Sequence, residues 1–297
     1  MREAEKTASR RRLLKMFGGV GALAALDACG VPVLESDGGV GGGGGSSTGG
    51  GSATGGGTAT GGGIAAGGGG GSSTAWATQG TSILSAADYG NPFASGVGST
   101  CNVYRSSTEG PCHAPSLVRR DVSEGYVGVP MRLELIIVNA QCQVVPNATV
   151  EIWMCDTQGV YSGNIDGNND SFCTGGSATA AAALWGRGIQ TAGADGRVTF
   201  DANFPGWYSG RATHIHFKVS VGSTAYVTSQ LFFDESLKTD IYSSVSPYVA
   251  PSGNGYVLNA NDNVVSQASL TLSDVVCSHA RQSDGALLAW KAITVNA

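Results

Sequence analysis

His214-Ile215-His216-Phe217-Lys218-Val219-Ser220-Val221 is the stretch that decides the fold. Ile215, Phe217, Val219 and Val221 fall on one side of an extended chain. His214, His216, Lys218 and Ser220 fall on the other. A period of two predicts a β-strand with its apolar side in a core. The polar side carries two imidazoles two residues apart. Both point the same way, and neutral imidazole is a good ligand for Zn, Cu, Fe or Ni.

The same pattern recurs on either side. Arg132 to Val138 alternates and then runs apolar, while Ala148 to Trp153 and Gly196 to Phe200 alternate with period two. Tyr226 to Phe233 reads as a further strand. Asp195-Gly196 and Pro205-Gly206 mark turns. Several short strands at near-regular spacing predict an all-β domain, a β-sandwich with loops and little helix. Ala178 to Trp185 fits a short helix or a loop equally well. No internal repeat is visible.

Two tyrosines extend the histidine signal. Pro205-Gly206-Trp207-Tyr208-Ser209-Gly210-Arg211 is a turn that ends three residues before His214. Upstream, a strand over Glu151-Ile152-Trp153 leads through a turn at Gly159 to Tyr161. Two phenolates and two imidazoles form a hard, anionic set. That set suits Fe(III), whereas Zn more often takes thiolate, imidazole or carboxylate. There is no CxxC pair, which argues against a thiolate zinc site.

These residues resemble the intradiol ring-cleavage dioxygenases, in particular their exported bacterial members. The resemblance rests on Thr108-Glu109-Gly110-Pro111, on Val150 to Trp153 with Gly159-Val160-Tyr161-Ser162, on Arg187-Gly188-Ile189-Gln190, and on Phe204 to Tyr208 with Arg211-Ala212-Thr213-His214-Ile215-His216. It spans most of residues 101 to 233. It implies a β-sandwich holding non-haem Fe(III), with Tyr161, Tyr208, His214 and His216 at the four ligand positions. It also implies that Tyr208 can leave the metal and take up a proton, and that Arg211 offsets negative charge on the substrate. Gln230 falls on an active-site glutamine of the catechol branch. The implied reaction is O2-dependent cleavage of a catechol-type diol between its hydroxylated carbons, giving a cis,cis-muconate-type diacid.

Some positions depart from the family pattern. Met154 stands where exported members often carry His, so a hydrogen bond behind the metal is expected to be missing. Trp185-Gly186 and Gly193 also differ, and none of these changes removes a ligand. Substrate choice is expected to lie in residues 76–125 and in the loops from Asn164 to Ala183. Lone His113 and His279 read as ordinary polar residues, and Glu109 and Asp156 as turn or cap acids. Trp153 reads as core. Two other readings fit the same residues. One is a cell-surface β-sandwich binding module without turnover, and the other is the same cage around Cu or Zn.

The N-terminus reads as an address. Ser9-Arg10-Arg11-Arg12-Leu13-Leu14-Lys15 precedes an apolar run from Met16 to Leu26 that is too short to span a bilayer. The arginine pair resembles a twin-arginine export signal, and an ordinary basic secretory leader is the alternative. Leu26-Asp27-Ala28-Cys29-Gly30 resembles a lipobox with Cys29 as the lipidated residue, although Asp27 is unusual there. The expected organisation is an export signal over 1–28, a flexible tether over 29–75 and a catalytic domain over 76–297.

Composition supports that division. Of 47 glycines, 21 lie between Gly38 and Gly71, in a stretch with too little apolar surface to form a core. The chain holds 17 basic and 22 acidic residues, and the first 28 residues hold six of the basic and three of the acidic ones. The remainder is strongly acidic, which excludes nucleic acid as an expected partner. The expected partners are a small aromatic diol, O2 and a lipid anchor. Apart from Cys29 there are six cysteines, enough for up to three disulfides in an oxidising compartment. The expected location is the periplasm or cell envelope.

Overall fold

Strand β5 (His214–Val221) spans the stretch that the alternation marks. Ile215, Phe217 and Val219 are fully buried in the main core, as the pattern requires. The computed structural model describes residues 75–165, 169–252 and 255–297. The export signal, Cys29 and nearly all of the tether lie outside these residues.

Among the described residues, seven further strands complete two sheets. They are β1 (Pro130–Asn139), β2 (Thr149–Trp153), β3 (Arg187–Thr191), β4 (Arg197–Asn203), β6 (Thr224–Phe232), β7 (Ser278–Arg281) and β8 (Leu287–Val295). One sheet has the order β4-β1-β8-β7 and the other β3-β2-β5-β6. The apolar faces of the two meet in one core, with Leu133, Leu135 and Ile137 from one side and Val150, Ile152 and Phe217 from the other. This is the expected sandwich, with little helix. All pairings between strands are antiparallel except β1 with β8, which run parallel in register from Met131↔Leu287 to Asn139↔Val295.

The strong alternation of β5 follows from the sheet it sits in, which has one face in the core. β1 is buried on both faces. Residues 81–101 lie over its outer side, where Phe93 packs with Ile136 and Val138, and Arg132 donates to the Ala87 carbonyl at 2.6 Å. Residues 81–101 therefore cover the sheet opposite the one that carries His214 and His216, so this part of the region expected to govern substrate choice sits elsewhere.

The helices are short. They are α1 (Asp170–Thr174), α2 (Ala178–Ala182), α3 (Glu235–Ser244), α4 (Asn263–Gln267) and α5 (Leu272–Val275). α2 resolves the helix-or-loop ambiguity at Ala178. Its N-cap Ser177 accepts from the Ala180 amide at 3.2 Å, and the helix ends after five residues. Among the described residues there are two disulfides, Cys101–Cys142 and Cys112–Cys173, while Cys155 and Cys277 are buried free thiols. Among the described residues no helix is long and apolar enough to cross a membrane.

Candidate metal centre

Strand register assembles the site on the outer face of the second sheet. Arg187 pairs with Trp153, Trp153 with His216, and His216 with Gln230, so these four lie side by side across β3, β2, β5 and β6. Each is almost fully buried. Residues 107–116 cover the neighbouring row. There Ser107 N–H donates to Thr228 O at 2.9 Å, Lys218 donates to Glu109 at 2.6 Å, and Ser116 donates to Glu151 at 2.7 Å.

The four sequence-derived ligands converge. The Nε2 atom of His214 lies 3.0 Å from His216 Nε2, 3.2 Å from the Tyr208 hydroxyl and 3.3 Å from the Tyr161 hydroxyl. The Nδ1–H of His214 donates to the Ala212 carbonyl at 2.6 Å, which leaves Nε2 as a lone-pair nitrogen aimed at the other three. One lone pair cannot accept three hydrogens. A cation between the four atoms would satisfy them all, so this donor set fits a bound metal ion. Among the described residues, no group of three or more His, Cys, Asp and Glu side chains stands ready to hold a metal. A metal ion at this point would need the two phenols beside the two imidazoles.

Burial sets the protonation of the cage. It pushes His214 down to about 3, with the Arg211 charge adding to the effect. His216 is lowered by burial and by neighbouring His214. Both rings are thus neutral at physiological pH, the form that binds metal. Burial also raises the Tyr161 phenol well above its ordinary value and the Tyr208 phenol to about 12. A nearby cation is required to hold either as phenolate at neutral pH.

The two tyrosines are held differently. Tyr161 is 1% exposed, packed with Trp153, Cys155 and the Cys112–Cys173 disulfide, and its amide donates to Cys173 O at 2.7 Å. Tyr208 is partly exposed at the edge of that cluster, with Phe172 of α1 edge-on to it at 6.0 Å. Gly159 makes this arrangement possible. Its φ is +83°, and a Cβ there would lie 2.4 Å from the Trp207 carbonyl, beside Tyr208.

Arg211 and Gln230 are also brought together. The Arg211 guanidinium donates to the Gln230 side-chain carbonyl and, through Nε, to Asp262 at 2.9 Å. The Gln230 amide reaches the Thr108 carbonyl at 3.4 Å.

A family model described as "Dioxygenase" matches residues 104–270, more than half of the chain. The chain belongs to the intradiol ring-cleavage dioxygenases. An intradiol ring-cleavage dioxygenase from Tetranychus urticae is 26% identical with a TM-score of 0.57, over 66% of this chain and 95% of that one. A second dioxygenase crystal structure is 25% identical with a TM-score of 0.54, over the same shares. The dioxygenase domain of a dioxygenase–carbohydrate-binding fusion from Streptomyces sp. SirexAA-E is 20% identical with a TM-score of 0.45, over 66% and 99%. No curated protein sequence matches significantly.

Within this intradiol dioxygenase fold, several site residues were not legible from the sequence. Trp153 is buried as expected, yet its indole also stacks on His216 at 4.9 Å and 9°. His113 pairs with Glu151 at 3.1 Å and meets Trp153 edge-on, so it supports the site from behind. Arg187 is fully buried and donates to the carbonyls of Ser162 (2.9 Å) and Cys112 (2.7 Å), clamping the segment that carries Tyr161 to the covering loop. Next to His214, the Thr213 hydroxyl bonds the Tyr242 hydroxyl at 2.7 Å, which ties the start of β5 to α3.

The remaining sequence-derived positions fall into place around these. Asp156 takes the turn role expected of it, accepting the amides of Gln158 at 2.8 Å and Val160 at 2.9 Å. Glu109 pairs with Lys218, and His279 lies on β7 of the other sheet. Met154 packs in the sandwich core, and the buried Nδ1 of His216 has no hydrogen-bond partner.

Proposed function

We propose that this protein is an Fe(III)-dependent dioxygenase that cleaves catechol-type aromatic diols with O2 between the two hydroxylated carbons, giving cis,cis-muconate-type diacids. The observation that carries this reading is the convergence of Tyr161, Tyr208, His214 and His216 on one point. The family generally uses ferric iron, and two phenolates with two imidazoles match its hardness and charge. Iron held by these four side chains would supply the Lewis acidity and redox chemistry that make the diol reactive toward O2.

The protein's own residues do the rest. A catechol must lose two protons to bind through both oxygens. Tyr208, at the exposed edge of the cage and strongly basic as a phenolate, is the group suited to take one of them. Tyr161, buried and bonded through its amide to the Cys173 carbonyl, stays as a fixed ligand. Arg211 presents a cation beside Gln230 and offsets negative charge that develops on the ring. Removing a comparable donor elsewhere costs roughly 2.7–4 kcal/mol. The stacked Trp153 and the apolar cluster around Tyr161 exclude water from the rear of the site.

The same proposal places the protein outside the cytoplasm, tethered through Cys29. The export-like N-terminus and the lipobox-like segment support this, and two disulfides suit an oxidising compartment.

The test is oxygen uptake by the iron-loaded protein with catechol, with the product identified by mass spectrometry. Stoichiometric uptake giving the muconate-type diacid is expected, and His214→Ala is expected to abolish it. A loaded wild-type protein that binds catechol without consuming O2 would favour a binding module.

A further inference from the structure

Arg211 is aimed by a carboxylate 51 residues further along the chain. Asp262 is fully buried and divides its two oxygens between two tasks. Oδ1 accepts the Val264 amide at 2.9 Å and so caps α4. Oδ2 accepts Arg211 Nε at 2.9 Å and the Ala212 amide at 2.8 Å. The Ala212 carbonyl in turn accepts His214 Nδ1–H at 2.6 Å. One carboxylate oxygen thus fixes the guanidinium and the residue that orients a cage imidazole.

Asp262 is itself held from behind. Its amide donates to Asn259 O at 3.3 Å. Asn259 is tied by three bonds. Its amide donates to Glu235 at 2.8 Å, its side-chain amide donates to Phe233 O at 2.7 Å, and its side-chain carbonyl accepts from Lys238 at 2.8 Å. Lys238 is fully buried and also donates to Glu235 at 2.8 Å. A buried lysine is costly unless its donors are used. Here they lock the turn on which Asp262 stands.

Resting on the dioxygenase reading above, we infer that Asp262 is a positioning residue that sets the direction of the Arg211 guanidinium toward the substrate, with the Lys238–Glu235–Asn259 cluster holding it in register. A cap alone needs only Oδ1. The second oxygen, spent on Arg211 and Ala212, is what the cap does not explain.

The experiment is a double-mutant cycle in the iron-loaded full chain. Asp262→Asn keeps an oxygen for the α4 cap and presents an NH2 group to Arg211 Nε, which turns the guanidinium away. With catechol, kcat per bound iron is expected to fall on the order of a hundredfold while KM changes little. In an Arg211→Ala background the same change is expected to cost much less, because only the Ala212 bond remains to be lost. Equal losses in both backgrounds would overturn the inference and leave Asp262 as a helix cap. If Asp262→Asn does not fold, Asp262→Ser keeps a good N-cap and takes its place. A second readout does not depend on turnover. Labelling of Arg211 by phenylglyoxal, followed by mass spectrometry, is expected to speed up severalfold in the variant. Unchanged labelling would contradict the inference even if the wild-type protein proved to lack ring-cleaving activity.

Discussion

At the residue scale, the cage is governed by how a buried lone pair is used. His214 Nε2 faces three polar atoms within 3.3 Å, and its other nitrogen is already committed to Ala212. The histidines and tyrosines were legible because their spacing on a strand and after two turns leaves little freedom. Asp262 was not legible, since nothing local links it to Arg211. Two expectations belong here. Tyr161→Phe removes a proposed ligand and is expected to lower iron content, measured by metal analysis. Tyr208→Phe is expected to keep more iron and to lose mainly kcat, measured by oxygen uptake.

Asp262 also makes a prediction about pH. Burial pushes its carboxyl up, but the Arg211 bond and charge and the amides of Ala212 and Val264 outweigh this and leave it below the usual range. A depressed carboxyl binds fewer protons folded than unfolded. It therefore adds stability that is present above the ordinary carboxylate pKa of about 3.9 and is lost as pH falls through the folded value. The difference in thermal midpoint between wild type and Asp262→Asn is expected to shrink on acidification to about pH 3.

At the element scale, β5 was readable because one face is core and the other is polar. β8 was not, since Leu287 to Val295 carries no clean alternation and sits in the interior of its sheet, parallel to β1. The short helices α3 and α4 follow local caps, Asp234 and Asp262, and present no long apolar period. The Cys112–Cys173 bridge joins the covering loop to α1 beside Tyr161, across a separation of 61 residues. The paired change Cys112→Ser with Cys173→Ser is expected to cost about 2–4 kcal/mol, read from urea unfolding. It is also expected to loosen Tyr161 and reduce iron retention.

At the scale of the whole molecule, the proposed division is an export signal, a glycine-rich tether and the sandwich. Only the sandwich lies within the described residues, so the first two are tested in the cell. Cys29→Ser is expected to move the exported protein from the membrane fraction to the soluble fraction, followed by immunoblot. Retention in the membrane would argue for another means of attachment. The fold itself was legible because the strand pattern and the Tyr, Tyr, Arg-x-x-His-x-His order agree on one architecture. Substrate choice was less legible, because the loops over the site are irregular and their placement depends on disulfides and buried arginines.

Tyr161, Tyr208, His214 and His216 are proposed to hold ferric iron. The most direct test is the visible absorption spectrum of the purified full chain after iron loading. Tyrosinate bound to Fe(III) gives a broad charge-transfer band and a wine-red colour, and that band is expected to shift when catechol is added without oxygen. A protein that stays colourless after reconstitution with iron in air would mean that these four side chains do not hold ferric iron.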